Sequence, residues 1–139
     1  MNNLDQLKPK VKRLAEELIK SCKKEKIKII ITQTLRTKAE QDALYAQGRT
    51  TKGSIVTNAK GGYSFHNFGV AFDFCPIVDD RPAWKNKKLF KKVGELGMLL
   101  GLEWGGAWKT FQDLPHFQYT GGYLLKDFRN DKIDESKFV

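Results

Sequence analysis

Apolar residues recur at spacings of three and four through Leu7, Val11, Leu14, Leu18 and Cys22, which predicts a helix from about Lys8 to Lys26. Lys10, Lys12, Arg13, Lys20, Lys23 and Lys24 fall largely off that stripe, and Pro9 is tolerated only near the helix start. The period then shortens: Lys28-Ile29-Ile30-Ile31-Thr32 is a β-branched run that predicts a buried strand. A second helix is expected over Lys38 to Gln47, with Thr37 as N-cap, Glu40 completing a capping box and Gly48 as the stop. Arg36 therefore sits where a strand gives way to a helix, either as a surface arginine or as a functional side chain. The polar stretch from Arg49 to Gly62 reads as a flexible loop. Val70-Ala71-Phe72-Asp73-Phe74 predicts a second strand, ended by a turn over 77–82, and Asn86 caps a helix running to about Leu100, where Gly101 stops it. Glu103 to Trp108 is a tight aromatic segment, and His116 to Tyr119 reads as a strand with His116 and Gln118 on one face. From Gly121 to Val139 the expectation is a short helix with a charged, frayed end.

At 139 residues, 40% of them hydrophobic, with no repeat or linker, the chain is expected to be one packed domain over 1–139. No apolar run reaches the length of a membrane span, and Met1 to Gln6 has neither the basic nor the apolar region of a signal peptide. Synthesis in the cytoplasm is the expectation. Cys22 and Cys75 are far apart and form no CxxC pair, so both are expected to be buried free thiols. The 25 Lys plus Arg against 16 Asp plus Glu give a formal charge of +9, which favours a polyanion: nucleic acid, anionic lipid or an acidic wall polymer. A nucleic-acid-binding protein is the non-enzymatic alternative, but no nucleic-acid motif is present, so no stable nucleic-acid partner is expected.

Candidate chemistry narrows this choice. Both histidines, His66 and His116, have a carboxylate nearby in sequence. Asp73 falls inside an apolar strand, where a carboxylate is costly unless it is paired or binds a metal. An imidazole and a carboxylate from one stretch plus an imidazole from another give three N/O ligands and leave a fourth position open, the pattern of a catalytic zinc site. Hydrolysis also needs a general base. Asp113 is the candidate, although its spacing equally suits a turn carboxylate bonding its own backbone; Glu103 is the reserve.

The run Ser-x-His-x-x-Gly-x-Ala-x-Asp over 64–73, Glu-Trp-Gly-Gly-x-Trp over 103–108 and Asp-x-Pro-His-Phe-Gln over 113–118 together resemble the zinc D-alanyl-D-alanine carboxypeptidase superfamily. Within it they are most similar to the L-alanyl-D-glutamate endopeptidases of phage endolysins and related wall peptidases, whose upstream block looks like residues 35–50. The resemblance implies an α+β fold, a small antiparallel sheet carrying the zinc site, packed by roughly three to four helices. It implies one catalytic Zn²⁺ on His66, Asp73 and His116, with Asp113 as the base for attack by metal-activated water. Arg36 is then the oxyanion or carboxylate partner, with Gln41 and Ser64 as substrate contacts. The implied substrate is the L-Ala-D-Glu bond of the peptidoglycan stem peptide. The implied setting is a monomeric endolysin, one catalytic domain over 1–139 without a separate wall-binding domain, that needs a holin to reach the wall. A D,D- or L,D-carboxypeptidase on the same metal site is the enzymatic alternative.

Overall fold

A computed structural model describes residues 3–139; Met1 and Asn2, which open the stretch expected to lack a leader, lie outside it. Helix α1 spans Pro9–Lys24 and buries Val11, Leu14, Ala15, Leu18 and Cys22, the predicted stripe. Strand β1 (Lys28–Gln33) leads into α2 (Lys38–Ala46), whose Thr37–Glu40 capping box forms as expected. Strand β2 runs over Ala71–Val78, longer than its apolar core suggested, and hairpins into β3 (Arg81–Pro82) through Asp79 and Asp80, both at positive φ. Helix α3 (Lys87–Leu99) starts on Asn86, whose side chain accepts from the Leu89 amide. Strand β4 (Glu103–Trp104), strand β5 (His116–Gln118) and the short α4 (Leu125–Arg129) complete the chain with a last 3₁₀ turn over Glu135–Phe138.

The sheet is antiparallel in the order β1-β2-β5-β4, with β3 on the same edge of β2 that β5 uses further back. This is the expected α+β arrangement. One face is covered by α1 and α3, and Phe72, Phe74, Phe90 and Phe117 fill the interior between them, all at most 1% exposed. Phe74 stacks on Phe117 with ring centroids 5.0 Å apart. The helix–sheet contact is close because Gly94 and Gly97 have no side chain. A Cβ there would come within 2.2 Å of the Trp104 ring and 2.3 Å of the Phe117 ring. Cys22 and Cys75 are buried free thiols, as expected, and burial pushes both thiols up, Cys22 to about 11.

The tail departs from its expectation of a frayed end. Phe138 is 1% exposed, against Phe128, Tyr119 and Tyr123, and Arg13 donates to the Val139 carbonyl oxygen. The charged pattern of 130–137 concealed a single aromatic anchor at the end. Leu7 likewise belongs to the core but precedes α1, following a 3₁₀ turn over Leu4–Gln6. No helix among the described residues is long and apolar enough to cross a membrane.

Candidate metal centre

Strand register builds the centre. Asp73 on β2 lies directly opposite His116 on β5 and opposite Gln33 on β1. Opposed residues of antiparallel strands point to the same side of the sheet. Gln33, Asp73 and His116 therefore share the face away from α1 and α3, while their neighbours Phe72, Phe74 and Phe117 enter the core. A bulge between Ile31 and Gln33 brings Gln33 into this row.

His66 comes from a 3₁₀ turn over Phe65–Phe68. Ser64 caps it, its hydroxyl accepting from the His66 amide at 3.2 Å while Asn67 accepts from the Ser64 amide at 3.2 Å. Gly69 ends the turn at φ +70, a conformation that costs glycine least. The turn is tied to the β1–α2 connection: Arg36 N–H donates to the His66 carbonyl at 2.9 Å, and Asn67 donates to the Arg36 carbonyl at 2.8 Å.

Each imidazole is oriented from behind. His66 Nδ1 lies 3.0 Å from the Thr34 carbonyl oxygen, an obligate acceptor, which places the proton on Nδ1 and turns the Nε2 lone pair inward. His116 uses its nitrogens the other way, with Nε2 2.7 Å from Gln118 Oε1 and Nδ1 facing the centre. The two inward nitrogens lie 3.2 and 3.4 Å from the same Asp73 oxygen, and the three donor atoms are all within 4.8 Å of one another. Two neutral imidazole nitrogens and a carboxylate oxygen, each imidazole held by a partner on its other nitrogen, fit a divalent ion of the zinc type. Thr34 had no sequence signature for this role, because its backbone carbonyl does the work. Gln118 had one: strand alternation already put it on the face of His116.

Electrostatics follow the geometry. Burial alone would raise Asp73, but His116 and His66, through hydrogen bonds and then charge once their rings are protonated, hold its carboxyl well below the usual range. Burial opposes charge on His116; the bond to Asp73 and its charge, then Gln118 and Asp113, prevail and raise it. Asp113 retains contact with solvent, yet the protein packed around it pushes its carboxyl above the ordinary value, with His116 opposing and Asp73 reinforcing the shift. His66 and Arg36 also act on Asp113, so the four groups and Asp73 form one electrostatic cluster.

Asp113 is carried on a turn. Its amide donates to the Gly105 carbonyl at 3.1 Å, its carbonyl accepts from the His116 amide at 3.2 Å, and Trp104 Nε1 clamps the Leu114 carbonyl at 2.7 Å. Gly105 is required for this closeness, since a Cβ would lie 2.3 Å from the Asp113 carbonyl oxygen. Trp108 sets its ring 5.3 Å from that of His116 and walls the centre on that side. Glu103, the reserve base, opposes Gln118 and is engaged by Thr120 through its amide and hydroxyl at 3.3 and 3.0 Å, beyond Gln118 from His116.

Arg36 projects beside the centre. Its Nη1 donates to Gln41 Oε1 at 2.8 Å, and its Nε is buried without a hydrogen-bond partner. Burial lowers the Arg36 pKa, against the charges of Asp73, Glu40 and Asp113. Gln41 itself is 0% exposed and donates to the Ala59 carbonyl at 2.7 Å, so it has no surface to offer a substrate here. It holds Arg36 and fastens the 57–59 segment instead. Ser64 is half-buried, with its oxygen engaged in capping.

Comparison with known proteins places this geometry. The family pattern described as D-alanyl-D-alanine carboxypeptidase matches residues 57–119, which include His66, Asp73, Asp113 and His116 and stop short of Arg36 and Gln41. The chain is 42% identical over 121 residues to the peptidoglycan L-alanyl-D-glutamate endopeptidase CwlK of Bacillus subtilis, covering 81% of this chain and 72% of that protein. It is 31% identical over 123 residues to the L-alanyl-D-glutamate peptidase of Listeria phage A118, 84% of this chain and 39% of the phage protein. Among solved structures, the Serratia marcescens L-Ala D-Glu endopeptidase ChiX shares the fold at a TM-score of 0.65 and 22% identity, over 85% of this chain and 84% of that one. VanYB in complex with D-alanine-D-alanine shares it at 0.61 and 13%, over 95% and 81%.

Proposed function

Because the chain belongs to the family of peptidoglycan L-alanyl-D-glutamate endopeptidases within the D-alanyl-D-alanine carboxypeptidase superfamily, we propose that it hydrolyses the L-Ala-D-Glu bond of the stem peptide with one zinc ion held by His66, Asp73 and His116. The observation that carries this reading is the convergence of those three donor atoms within 4.8 Å, beside a carboxyl that belongs to none of them. Zinc in that position supplies a Lewis acid that polarises the scissile carbonyl and makes water easier to deprotonate.

The remaining work falls to side chains. Asp113 takes the proton from the attacking water as its oxygen bonds to the carbonyl carbon. It then returns that proton to the leaving amine as the C–N bond breaks. Its raised pKa suits both directions of transfer. Arg36, held from behind by Gln41, directs its free N–H groups at the developing oxyanion or at a substrate carboxylate. Ser64 acts by capping the His66 turn, with its hydroxyl proton available to the substrate. Thr34 and Gln118 keep both imidazoles in the tautomer that presents a lone pair inward.

The likeness to a peptidase of a Listeria phage favours a phage setting, and we propose for it an endolysin that acts as a monomer and reaches the wall through a holin. The likeness to CwlK favours a second reading, wall turnover in a bacterium. Co-expression with and without a holin separates them, since an endolysin lyses the cell only in its presence.

The test of the chemistry is mass spectrometry of purified peptidoglycan digested with and without a chelator. The expected products are stem peptides beginning at D-Glu, formed only without chelator. Loss of a single D-alanine would select the carboxypeptidase reading, and an intact substrate with zinc-loaded protein would overturn both.

A further inference from the structure

On the side of the sheet away from the metal centre, a groove of about 400 Å³ runs between the end of α1 and edge strand β1. Its floor is Ile19, Ile27 and Ile29, and its rim is Lys23, Lys26 and Lys28. These rim lysines are exposed and form no ion pair among the described residues, and residues 20–28 hold five lysines against the single Glu25. An apolar trough ringed by free ammonium groups is complementary to an amphiphile with hydrocarbon chains and an anionic head.

The backbone at the rim adds a second observation. Helix α1 ends with Ile27 N–H donating to the Cys22 carbonyl at 2.8 Å and Lys26 N–H to the Lys23 carbonyl at 3.0 Å, a Schellman ending. The residue in the left-handed position of that ending is normally glycine; here it is Lys26, at φ +59. The fold thus keeps a cation at the groove mouth in a conformation where a side chain is a liability.

The placement suits an enzyme working beside a membrane. Ile29 pairs with Pro76, out of phase with Asp73, so the floor lies on the core side at the edge of the sheet, while Lys28, paired with Ile77 in phase with Asp73, borders it from the other side of β1. Lys28 is five residues along β1 from Gln33, about 16 Å at strand rise. A surface docked along this edge leaves the centre uncovered.

We propose that the Ile19–Ile27–Ile29 groove and its Lys23, Lys26 and Lys28 rim form a docking site for the anionic phospholipid surface of the membrane, orienting the metal face toward the wall. A wall polyanion would engage the lysines but leave the trough empty, which is why the lipid is the better fit.

The test uses the full-length, zinc-loaded protein, co-sedimented with phosphatidylcholine vesicles with or without phosphatidylglycerol. Retention is expected on the anionic vesicles alone. Lys26→Gly should weaken it about fivefold, the effect of about one lysine near an anionic surface, while thermal stability is unchanged or higher, because glycine relieves the left-handed residue. Adding Lys23→Gln and Lys28→Gln should bring the loss to about a hundredfold. Lipids with a nitroxide in the acyl chain should broaden the methyl resonances of Ile19, Ile27 and Ile29. Turnover of soluble peptidoglycan fragments should be the same in all variants, so failure of docking and failure of the peptidase reading are separately visible. Equal retention on zwitterionic vesicles, or undiminished binding by the Lys26→Gly protein, overturns the proposal. So do sharp methyl signals together with tight binding to lipid-free polyglycerol phosphate, a result that would assign the patch to a wall polyanion.

Discussion

One Asp73 oxygen lies 3.2 and 3.4 Å from the two inward imidazole nitrogens, and much of the chemistry of the centre can be argued from that atom. In the metal-free protein its lowered pKa means that the folded state binds this proton less readily than the unfolded chain, so its contribution is present above about pH 4 and lost below. His116, raised by the same contact, contributes below its ordinary value of about 6.5 and loses that contribution as pH rises through the folded value. Chelated protein is therefore expected to gain most from this pair between those two limits. Zinc reverses the dependence, because it needs the imidazoles neutral, and its stabilisation should grow as the pH rises. Thermal melts with and without chelator across pH 4 to 8 check this; parallel curves would show that the ion sits elsewhere. Asp113→Ala should keep zinc and lose about 10²–10⁴-fold in kcat, the usual worth of a positioned acid–base group. Near-normal turnover with zinc bound would remove Asp113 from the mechanism. Gln41→Leu keeps roughly the volume but removes the bond to Arg36 and the one to Ala59, and is expected to lower kcat/KM by about tenfold or more with zinc content unchanged. Most of this was legible in the sequence, because a carboxylate inside an apolar strand and two histidines near carboxylates need an explanation. The supports were not: the Thr34 carbonyl carries no side-chain signal, and only the fold shows that Gln41 reaches Arg36 rather than solvent.

At the scale of elements, the centre depends on how closely α3 and β5 approach. Phe117 stands between His116 and Gln118 and points the opposite way, onto α3 at Gly97. Gly97→Ala would drive a methyl into the Phe117 ring, a contact of 2.3 Å that must relax by shifting α3 or β5. Overpacking of this kind costs about 1–3 kcal/mol. The shift is expected to reach the metal through His116, so a competition titration with a chelating dye should show weaker zinc binding as well as a lower melting temperature. A variant that melts early but binds zinc normally would mean that α3 moved and β5 did not. The three long helices were readable because period and caps agreed, as at Thr37, Glu40 and Asn86. Strands β3 and β4 were not, since two residues each are too few to show alternation, and Pro76 within β2 obscured how far that strand runs.

For the whole molecule, the consequential feature is how the start of α1 and the last residues close on each other behind His66. Lys8 pairs with Glu135 at 2.9 Å, Arg13 holds the Val139 carbonyl, and Phe138 packs on Phe128. Phe128 in turn meets Phe65 and Phe68, the residues on either side of the His66–Asn67 step, at ring distances of 5.8 and 5.7 Å. The family pattern ends at residue 119, yet the aromatic chain from Phe138 to Phe65 makes the last twenty residues part of the support for the His66 turn. Phe138→Ala removes a fully buried ring, a change that costs about 3–5 kcal/mol and should lower the melting temperature by on the order of 10 °C in a domain of this size. If the cluster only adds bulk stability, zinc affinity measured well below the melt will be unchanged. If it holds the His66 turn against Asp73, affinity will fall even where the protein is fully folded, and the structure favours that outcome because Phe65 and Phe68 pack directly on the ring that Phe138 supports.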